Sequence, residues 1–91
     1  MVTTPENLPV LVEEALAMIE IRIGRSGSTG IHTSVRAQLR YMKKVLAASS
    51  RPAEEDLDSL TLGIYAAREF EASDPELANV LFEVQYLFKR L

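Results

Sequence analysis

The chain contains 91 residues, of which 47% are hydrophobic and 25% are charged, and its net charge is −3. This length predicts one domain, residues 1–91, with enough apolar side chains to form a core. The absence of cysteine excludes disulfides and thiolate metal sites. The negative charge argues against general affinity for nucleic acid, because that affinity depends on neutralising phosphates.

Two amphipathic helices are predicted in the first half of the chain. Apolar residues at three- and four-residue spacing predict a helix from Asn7 to Ile23 and a second from Ile31 to Ala48. The glycine- and serine-rich stretch Gly24 to Gly30 predicts a loop between them, and Ser49 to Ala53 predicts a break after the second helix. The residues predicted to be buried are Leu8, Leu11, Val12, Ala15, Leu16, Ile19, Ile23, Ile31, Val35, Leu39, Met42, Val45 and Leu46.

The second predicted helix carries a basic stripe opposite its apolar face. Its members are Arg36, Arg40, Lys43 and Lys44. The stripe could contact nucleic acid or an acidic protein. Four charges in an acidic domain are a weak signal for nucleic acid. We therefore favour a solvated face that pairs with the acidic third helix, and we predict no nucleic-acid partner.

The third helix is predicted from Ala53 to Ala72, and it begins with acids that suit the positive end of the helix dipole. Gly63 lies within it, where glycine costs about 1 kcal/mol relative to alanine. Because Ala66 and Ala67 are also small, we predict that Gly63 lets a neighbouring backbone approach closely; a tolerated surface position is the alternative. This helix is predicted to be the most central one, since its apolar residues cover more than half of its circumference. Those residues are Leu57, Leu60, Leu62, Gly63, Ile64, Ala66, Ala67 and Phe70.

A fourth helix is predicted to begin at the sequence SDPE, with Ser73 and Glu76 forming a capping box and Pro75 in the first turn. It is predicted to run to the C-terminus, where Lys89 and Arg90 suit the negative end of the dipole. The fold class is therefore all-α, a compact bundle of about four helices. The apolar arc of the fourth helix consists of Leu77, Val80, Leu81, Val84, Leu87, Phe88 and Leu91.

Two aromatic residues of the fourth helix, Phe82 and Tyr86, lie opposite its apolar arc. Either another part of the chain covers them or they form an interface with a partner or a second copy, since aromatic side chains are enriched at interfaces. Tyr65 lies similarly on the polar side of the third helix. The candidate partner-binding surface comprises Asp58, Tyr65, Glu69, Phe82, Glu83 and Tyr86.

The sequence gives little support to an enzyme. His32 is the single histidine, and a lone histidine at a helix start is usually solvated or capping. Zinc requires three or four ligands, and the glycine-rich loop lacks the lysine of a phosphate-binding loop. An anion-using site would need an arginine cluster on an apolar face, and Arg22, Arg25, Arg36 and Arg40 do not lie on one. We predict no catalytic residues, no cofactor and no metal.

Several stretches resemble a family of small helical immunity proteins that protect bacteria against type VI secretion effectors. They are QLRYMKKVL at Gln38 to Leu46, LTLGIYAAREFEASDPELANVL at Leu60 to Leu81, and EALAMIEIRIGR at Glu14 to Arg25. The loop Gly24 to Gly30 and the linker Ser49 to Asp56 are more particular to this chain. The resemblance covers most of the chain, and the shared residues serve in helix packing and capping.

The resemblance implies a non-enzymatic protein that binds a cognate toxin domain, an NAD(P)⁺ glycohydrolase, and occludes its active site. The alternative is a helical adaptor or a module that self-associates through the fourth helix as a homodimer. The chain has no apolar run of about 18 residues that could span a membrane. Its start, MVTTPENLPV, lacks the features of a signal peptide. We therefore expect a cytoplasmic protein.

Overall fold

The computed structural model describes residues 7–26, 30–48, 52–53, 55–56 and 60–90. Within these ranges the chain forms helices and no β-strand, which confirms the all-α prediction. The elements are α1 (Leu8–Ser26), α2 (Gly30–Ala47), α3 (Leu62–Tyr65), which continues directly as the π-helical segment π1 (Ala66–Phe70), and α4 (Pro75–Phe88).

The first two helices follow the predicted pattern closely. Helix α1 begins where expected but continues to Ser26, beyond the predicted end at Ile23, so the first part of the predicted loop is helical. Gly24 does not end the helix, and nothing lies within 4 Å of the position that a Cβ would take there. Helix α2 has nearly the predicted bounds, and its buried residues are Val35, Leu39, Met42 and Val45.

Ion pairs join the facing polar edges of α1 and α2. Lys43 Nζ lies 2.9 Å from Glu13 Oε1, and Glu20 Oε1 lies 3.4 Å from Arg36 Nη1 and 3.7 Å from Arg40 Nη2. The prediction that the basic stripe pairs with the third helix is wrong for these residues. Their carboxylate partners are on α1, because α1 and α2 pack side by side along much of their length.

The prediction of one long third helix is also wrong. Glu55 and Asp56 are helical, but Pro52 and Ala53 are not, and neither are Leu60 and Thr61. The peptide N–H of Thr61 donates to Gln38 Oε1 of α2 at 2.8 Å instead of joining a helical ladder. The helix proper starts only at Leu62. The predicted acids Glu54 and Asp58 and the predicted apolar residue Leu57 lie outside the described residues.

The buried face of α3 and π1 differs from the predicted one. Ile64 is 51% exposed and Ala67 is exposed, whereas both were predicted on the apolar side. The buried residues are Leu60, Leu62, Ala66 and Phe70. The last three recur every four residues, which keeps them on one face of the helix, and the chain is π-helical from Ala66 to Phe70.

The predicted capping box of the last helix is replaced by another cap. Asp74 is the N-cap of α4, and its carboxylate accepts from the Leu77 N–H at 3.5 Å. Ser73 Oγ instead donates to the Glu69 carbonyl oxygen at 2.9 Å, which ties it to the end of π1. Pro75 occupies the first turn as predicted. Helix α4 ends at Phe88, so Lys89 and Arg90 follow it in a turn.

One hydrophobic core joins these elements, and α4 is the helix that connects them. Helix α4 packs against α1, α3 and π1, and the ring of Tyr41 from α2 meets the Phe88 ring edge-on at 6.3 Å. The prediction that the third helix is central is therefore wrong, because α3 and π1 are short and cover one side of α4. The α4 side chains in the core are Leu77, Ala78, Leu81, Val84 and Phe88.

Candidate partner-binding surface

The face of α4 that points away from the core carries two exposed aromatic rings. Phe82 is 38% exposed and Tyr86 is 58% exposed, while Phe88 on the opposite side is fully buried. The guanidinium of Arg90 lies 4.3 Å from the centre of the Tyr86 ring, a cation–π contact that holds the ring at the surface. The two rings are one helical turn apart and expose apolar area at one place.

An open groove of ≈ 550 Å³ runs along this face between α4 and the start of α3. Two of the predicted site residues form its aromatic wall, and the predicted Glu83 also lines it. The described residues that line it are Gly63, Asn79, Phe82, Glu83, Gln85, Tyr86 and Lys89.

Gly63 and Gln85 connect α3 with α4 within this groove. The Gly63 N–H donates to Gln85 Oε1 at 3.0 Å. A Cβ on residue 63 would lie 3.0 Å from Gln85 Nε2, closer than an ordinary carbon contact. A neighbouring group does approach Gly63 closely, but it is a side-chain amide and not the predicted helix backbone, and this amide would have to shift to admit a Cβ.

Two other predicted site residues, Tyr65 and Glu69, do not line the groove. Tyr65 is half-buried and packs against the core, so part of its ring is used inside the protein. Glu69 is exposed on π1, where its carbonyl oxygen accepts from Ser73. Asp58 lies outside the described residues. The structure thus brings Phe82, Glu83 and Tyr86 together at the groove, and Tyr65 and Glu69 do not line it.

Gln85 and Gly63 were not predicted as site residues. They are 22 positions apart in sequence, and the contact between them depends on how α3 crosses α4. A glycine inside a helical pattern was the only signal, and it indicated a close neighbour without identifying it. Lys89 was predicted only to suit the negative end of the helix dipole.

The groups considered for an enzyme are engaged in structural contacts. Arg22 binds Asp74 through two hydrogen bonds, from Nε at 2.8 Å and from Nη2 at 3.1 Å. The hydrogen bond from Arg22 is the main cause that lowers the pKa of Asp74. His32, predicted to be solvated or capping, is half-buried and stacks on the Phe70 ring at 5.6 Å. The start of α2 therefore lies against π1.

A second, smaller cavity of ≈ 350 Å³ lies between α2 and the segment before α3. Tyr41 Oη donates to Asp56 Oδ2 at 2.8 Å on its wall, and burial is the main cause that raises the pKa of this tyrosine. Gln38 Nε2 donates to Thr61 Oγ1 at 2.9 Å. In the described part of the chain, no cluster of three or more His, Cys, Asp or Glu side chains could hold a metal ion.

Comparison with known proteins gives a consistent result. The family model described as Tsi6 matches residues 7–90 of the chain. The chain belongs to the Tsi6 family. The immune protein Tsi6 of Pseudomonas aeruginosa is 34% identical over 76 residues, which cover 84% of this chain and 80% of that protein.

Solved structures of the Tsi6 family share the same fold. The structure of Tsi6 from Pseudomonas aeruginosa superposes with a TM-score of 0.83, at 34% identity, over 91% of this chain and 95% of that one. Tsi6 in a structure of Tse6 in complex with Tsi6 gives a TM-score of 0.84, at 32% identity, over 91% of this chain and 87% of that one.

Membership of the Tsi6 family confirms the predicted resemblance to type VI secretion immunity proteins. The compact all-helical arrangement is that of the solved Tsi6 structures. Among the described helices, none combines the length and the apolar character needed to cross a membrane.

Proposed function

We propose that this chain is an immunity protein that binds the toxin domain of a type VI secretion effector and occludes its active site. Two findings support the proposal: the chain belongs to the Tsi6 family, and a Tsi6 protein forms a complex with Tse6. An occluding inhibitor needs a rigid surface and no chemistry of its own. The helical core described above supplies the rigid surface.

We infer the location of the binding site from the exposed aromatic pair of α4. Phe82 and Tyr86 project from the face opposite the core, beside an open groove. Large aromatic side chains at the centre of an interface contribute much of its binding energy, because they bury a large area with few rotatable bonds. We place the toxin on this face, and Glu83 lies among the groove residues as a charged neighbour.

The sequence resemblance implies that the toxin is an NAD(P)⁺ glycohydrolase, and this forms the finer part of the proposal. The immunity protein itself then turns over no nucleotide. It stops NAD⁺ or NADP⁺ consumption by covering the toxin's active site, so inhibition follows occupancy and is complete when the two proteins are present in equal amounts.

The test uses the toxin domain of the effector encoded beside this gene, purified alone and titrated with the immunity protein. We expect one-to-one binding and a loss of NAD⁺ hydrolysis that parallels it. Tse6 from Pseudomonas aeruginosa serves as a second partner to measure specificity. Protection of cells without measurable binding to the toxin would contradict occlusion. Binding that abolishes a different toxin activity would contradict only the assignment of the substrate.

The same aromatic pair also supports self-association as a second candidate function. Two copies that meet through Phe82 and Tyr86 would bury these rings against each other and block the toxin-binding face. Light scattering coupled to size-exclusion chromatography distinguishes the two, since a dimer through this face must dissociate when the toxin is added. If the toxin complex has a molar mass that includes two copies of this chain, self-association uses another surface.

A further inference from the structure

The groove beside α4 contains a hydrogen-bond donor with no acceptor among the described residues. Gln85 Oε1 faces the Gly63 N–H at 3.0 Å, and a peptide N–H can only donate, so the oxygen of the amide must be on that side. Nε2 lies beside Gly63, which lines the groove together with Gln85, and it has no acceptor in the described part of the chain.

Two features hold this amide in place. The hydrogen bond from Gly63 fixes its rotation, and the missing side chain at residue 63 leaves the space that Nε2 occupies, at 3.0 Å from where a Cβ would lie. An exposed glutamine usually loses rotamer freedom when it binds a partner, and that loss weakens binding. Here Gly63 has already restricted the amide, so Gln85 is preorganised as a donor.

A positive charge lies next to this donor. Lys89 is one helical turn from Gln85 on the same side of α4, and both line the groove. Within the described residues, Lys89 has no carboxylate within ion-pair distance. An amide N–H and an ammonium one helical turn apart can reach the same carboxylate, whose two oxygens can accept from both through charge-assisted hydrogen bonds.

We propose that Gln85 Nε2 and Lys89 Nζ together bind the carboxylate of an aspartate or glutamate on the effector toxin domain. This inference rests on the proposed function and adds the residue chemistry of the contact. The aromatic wall argues for a protein partner over a small anion, because Phe82 and Tyr86 offer apolar area that a free anion would not cover. In the complex, the toxin excludes water from the carboxylate by covering these rings.

The decisive variant is Gln85→Glu. It has nearly the same shape as the native side chain, and one of its oxygens can still accept from Gly63 N–H, so the groove is retained. The other oxygen takes the place of Nε2, so an acceptor replaces the donor. Its negative charge repels the carboxylate of the toxin. We expect affinity for the toxin domain to fall at least about tenfold, mainly through faster dissociation.

The matched control is Gln38→Glu, the same chemical change in a glutamine of α2 that also binds the start of α3. Gln38 also accepts from a peptide N–H, that of Thr61, and the hydroxyl of Thr61 can donate to the new oxygen. It lines the second cavity and not the groove. We expect toxin affinity to remain within about twofold of the wild type, since surface changes away from an interface are nearly neutral. A loss equal to that of Gln85→Glu would overturn the proposal.

Lys89→Gln provides a second test that does not depend on the folding of the first variant, because Lys89 is exposed beyond the end of α4. We expect a loss of about three- to tenfold at low salt that shrinks in about 0.5 M salt, where charge interactions are screened. Normal affinity of a folded Gln85→Glu, or of Lys89→Gln at low salt, would overturn the proposal.

These outcomes are distinguishable from failure of the proposed function. If the wild-type chain does not bind the toxin domain at all, the immunity function is wrong, and the contact proposed here is wrong with it. If the wild type binds and Phe82→Ala weakens binding while Gln85→Glu does not, only the carboxylate contact is wrong.

Discussion

Two helical glycines, Gly24 and Gly63, differ in what surrounds them, and this difference predicts opposite effects of the same substitution. Alanine at residue 24 meets open space. Gly24→Ala is therefore expected to stabilise the protein by about 0.5–1 kcal/mol through helix propensity. At residue 63 the new methyl group would displace the Gln85 amide and weaken a hydrogen bond worth about 1 kcal/mol.

We expect Gly63→Ala to give no gain in the free energy of unfolding or a loss of up to about 1 kcal/mol, because the lost contact offsets the helix propensity. Urea unfolding of both variants measures the difference. If Gly63→Ala stabilises the protein as much as Gly24→Ala does, the close approach of Gln85 has no energetic consequence.

Asp74 has two tasks, as the N-cap of α4 and as the partner of Arg22. Asparagine caps a helix about as well as aspartate but carries no charge. Asp74→Ala is expected to cost about 1.5–3 kcal/mol, since it removes both the cap and the ion pair. Asp74→Asn should cost about half as much by thermal or urea unfolding. Equal losses in the two variants would mean that the cap contributes little.

The Arg22–Asp74 pair also predicts a pH dependence. The hydrogen bond from Arg22 lowers the pKa of Asp74 in the folded state, so the unfolded chain binds a proton more readily. The stabilisation is fully present above the unfolded value of about 4 and is lost as the pH falls through the lower folded value. The difference in the free energy of unfolding between wild type and Asp74→Asn should therefore shrink between about pH 4 and the lower folded pKa. A constant difference across that range would contradict the assignment.

At the scale of the elements, α3 is a short helix whose first N–H groups are satisfied by glutamines of its neighbours. Gln38 of α2 accepts from Thr61, and Gln85 of α4 accepts from Gly63. Thr61 is the N-cap residue but makes no side-chain cap of its own. A four-residue helix is too short to be stable by itself, so these two side chains fix its start between α2 and α4.

Removing the Gln38 acceptor should loosen the start of α3. Gln38→Leu keeps the size of the side chain but leaves the part-buried Thr61 N–H without its acceptor, which is expected to cost about 1–3 kcal/mol. Hydrogen exchange at the Thr61 amide should become faster than in the Gln38→Glu variant, which retains the acceptor. Unchanged exchange and stability would show that another group replaces Gln38.

In the whole molecule, α4 has one face in the core and the opposite face on the surface. Phe88→Ala should cost about 3–5 kcal/mol because it empties a fully buried site. Phe82→Ala and Tyr86→Ala should each change stability by less than about 1 kcal/mol but weaken toxin binding by about 2 kcal/mol or more. Calorimetric unfolding and titration with the toxin domain measure the two effects separately. If Phe82→Ala destabilises the protein as Phe88→Ala does, this face belongs to the core.

The sequence by itself determined the features that depend on local periodicity and composition. The buried stripes of α1 and α2, the arc of α4 and the position of Phe82 and Tyr86 opposite that arc follow from the helical repeat of 3.6 residues, which does not depend on neighbouring helices. The resemblance carried by short helical stretches indicated the family. These conclusions required no knowledge of how the helices pack.

The tertiary structure alone decided the features that depend on contacts between distant residues. The third helix begins at Leu62 because Gln38 takes the Thr61 N–H, and Asp74 replaces Ser73 as the cap while Arg22 binds its carboxylate. Gln85 became part of the candidate site because α3 crosses α4 at a glycine. In each case a residue distant in sequence makes a hydrogen bond that a local residue could otherwise make. Local sequence patterns do not identify the distant residue.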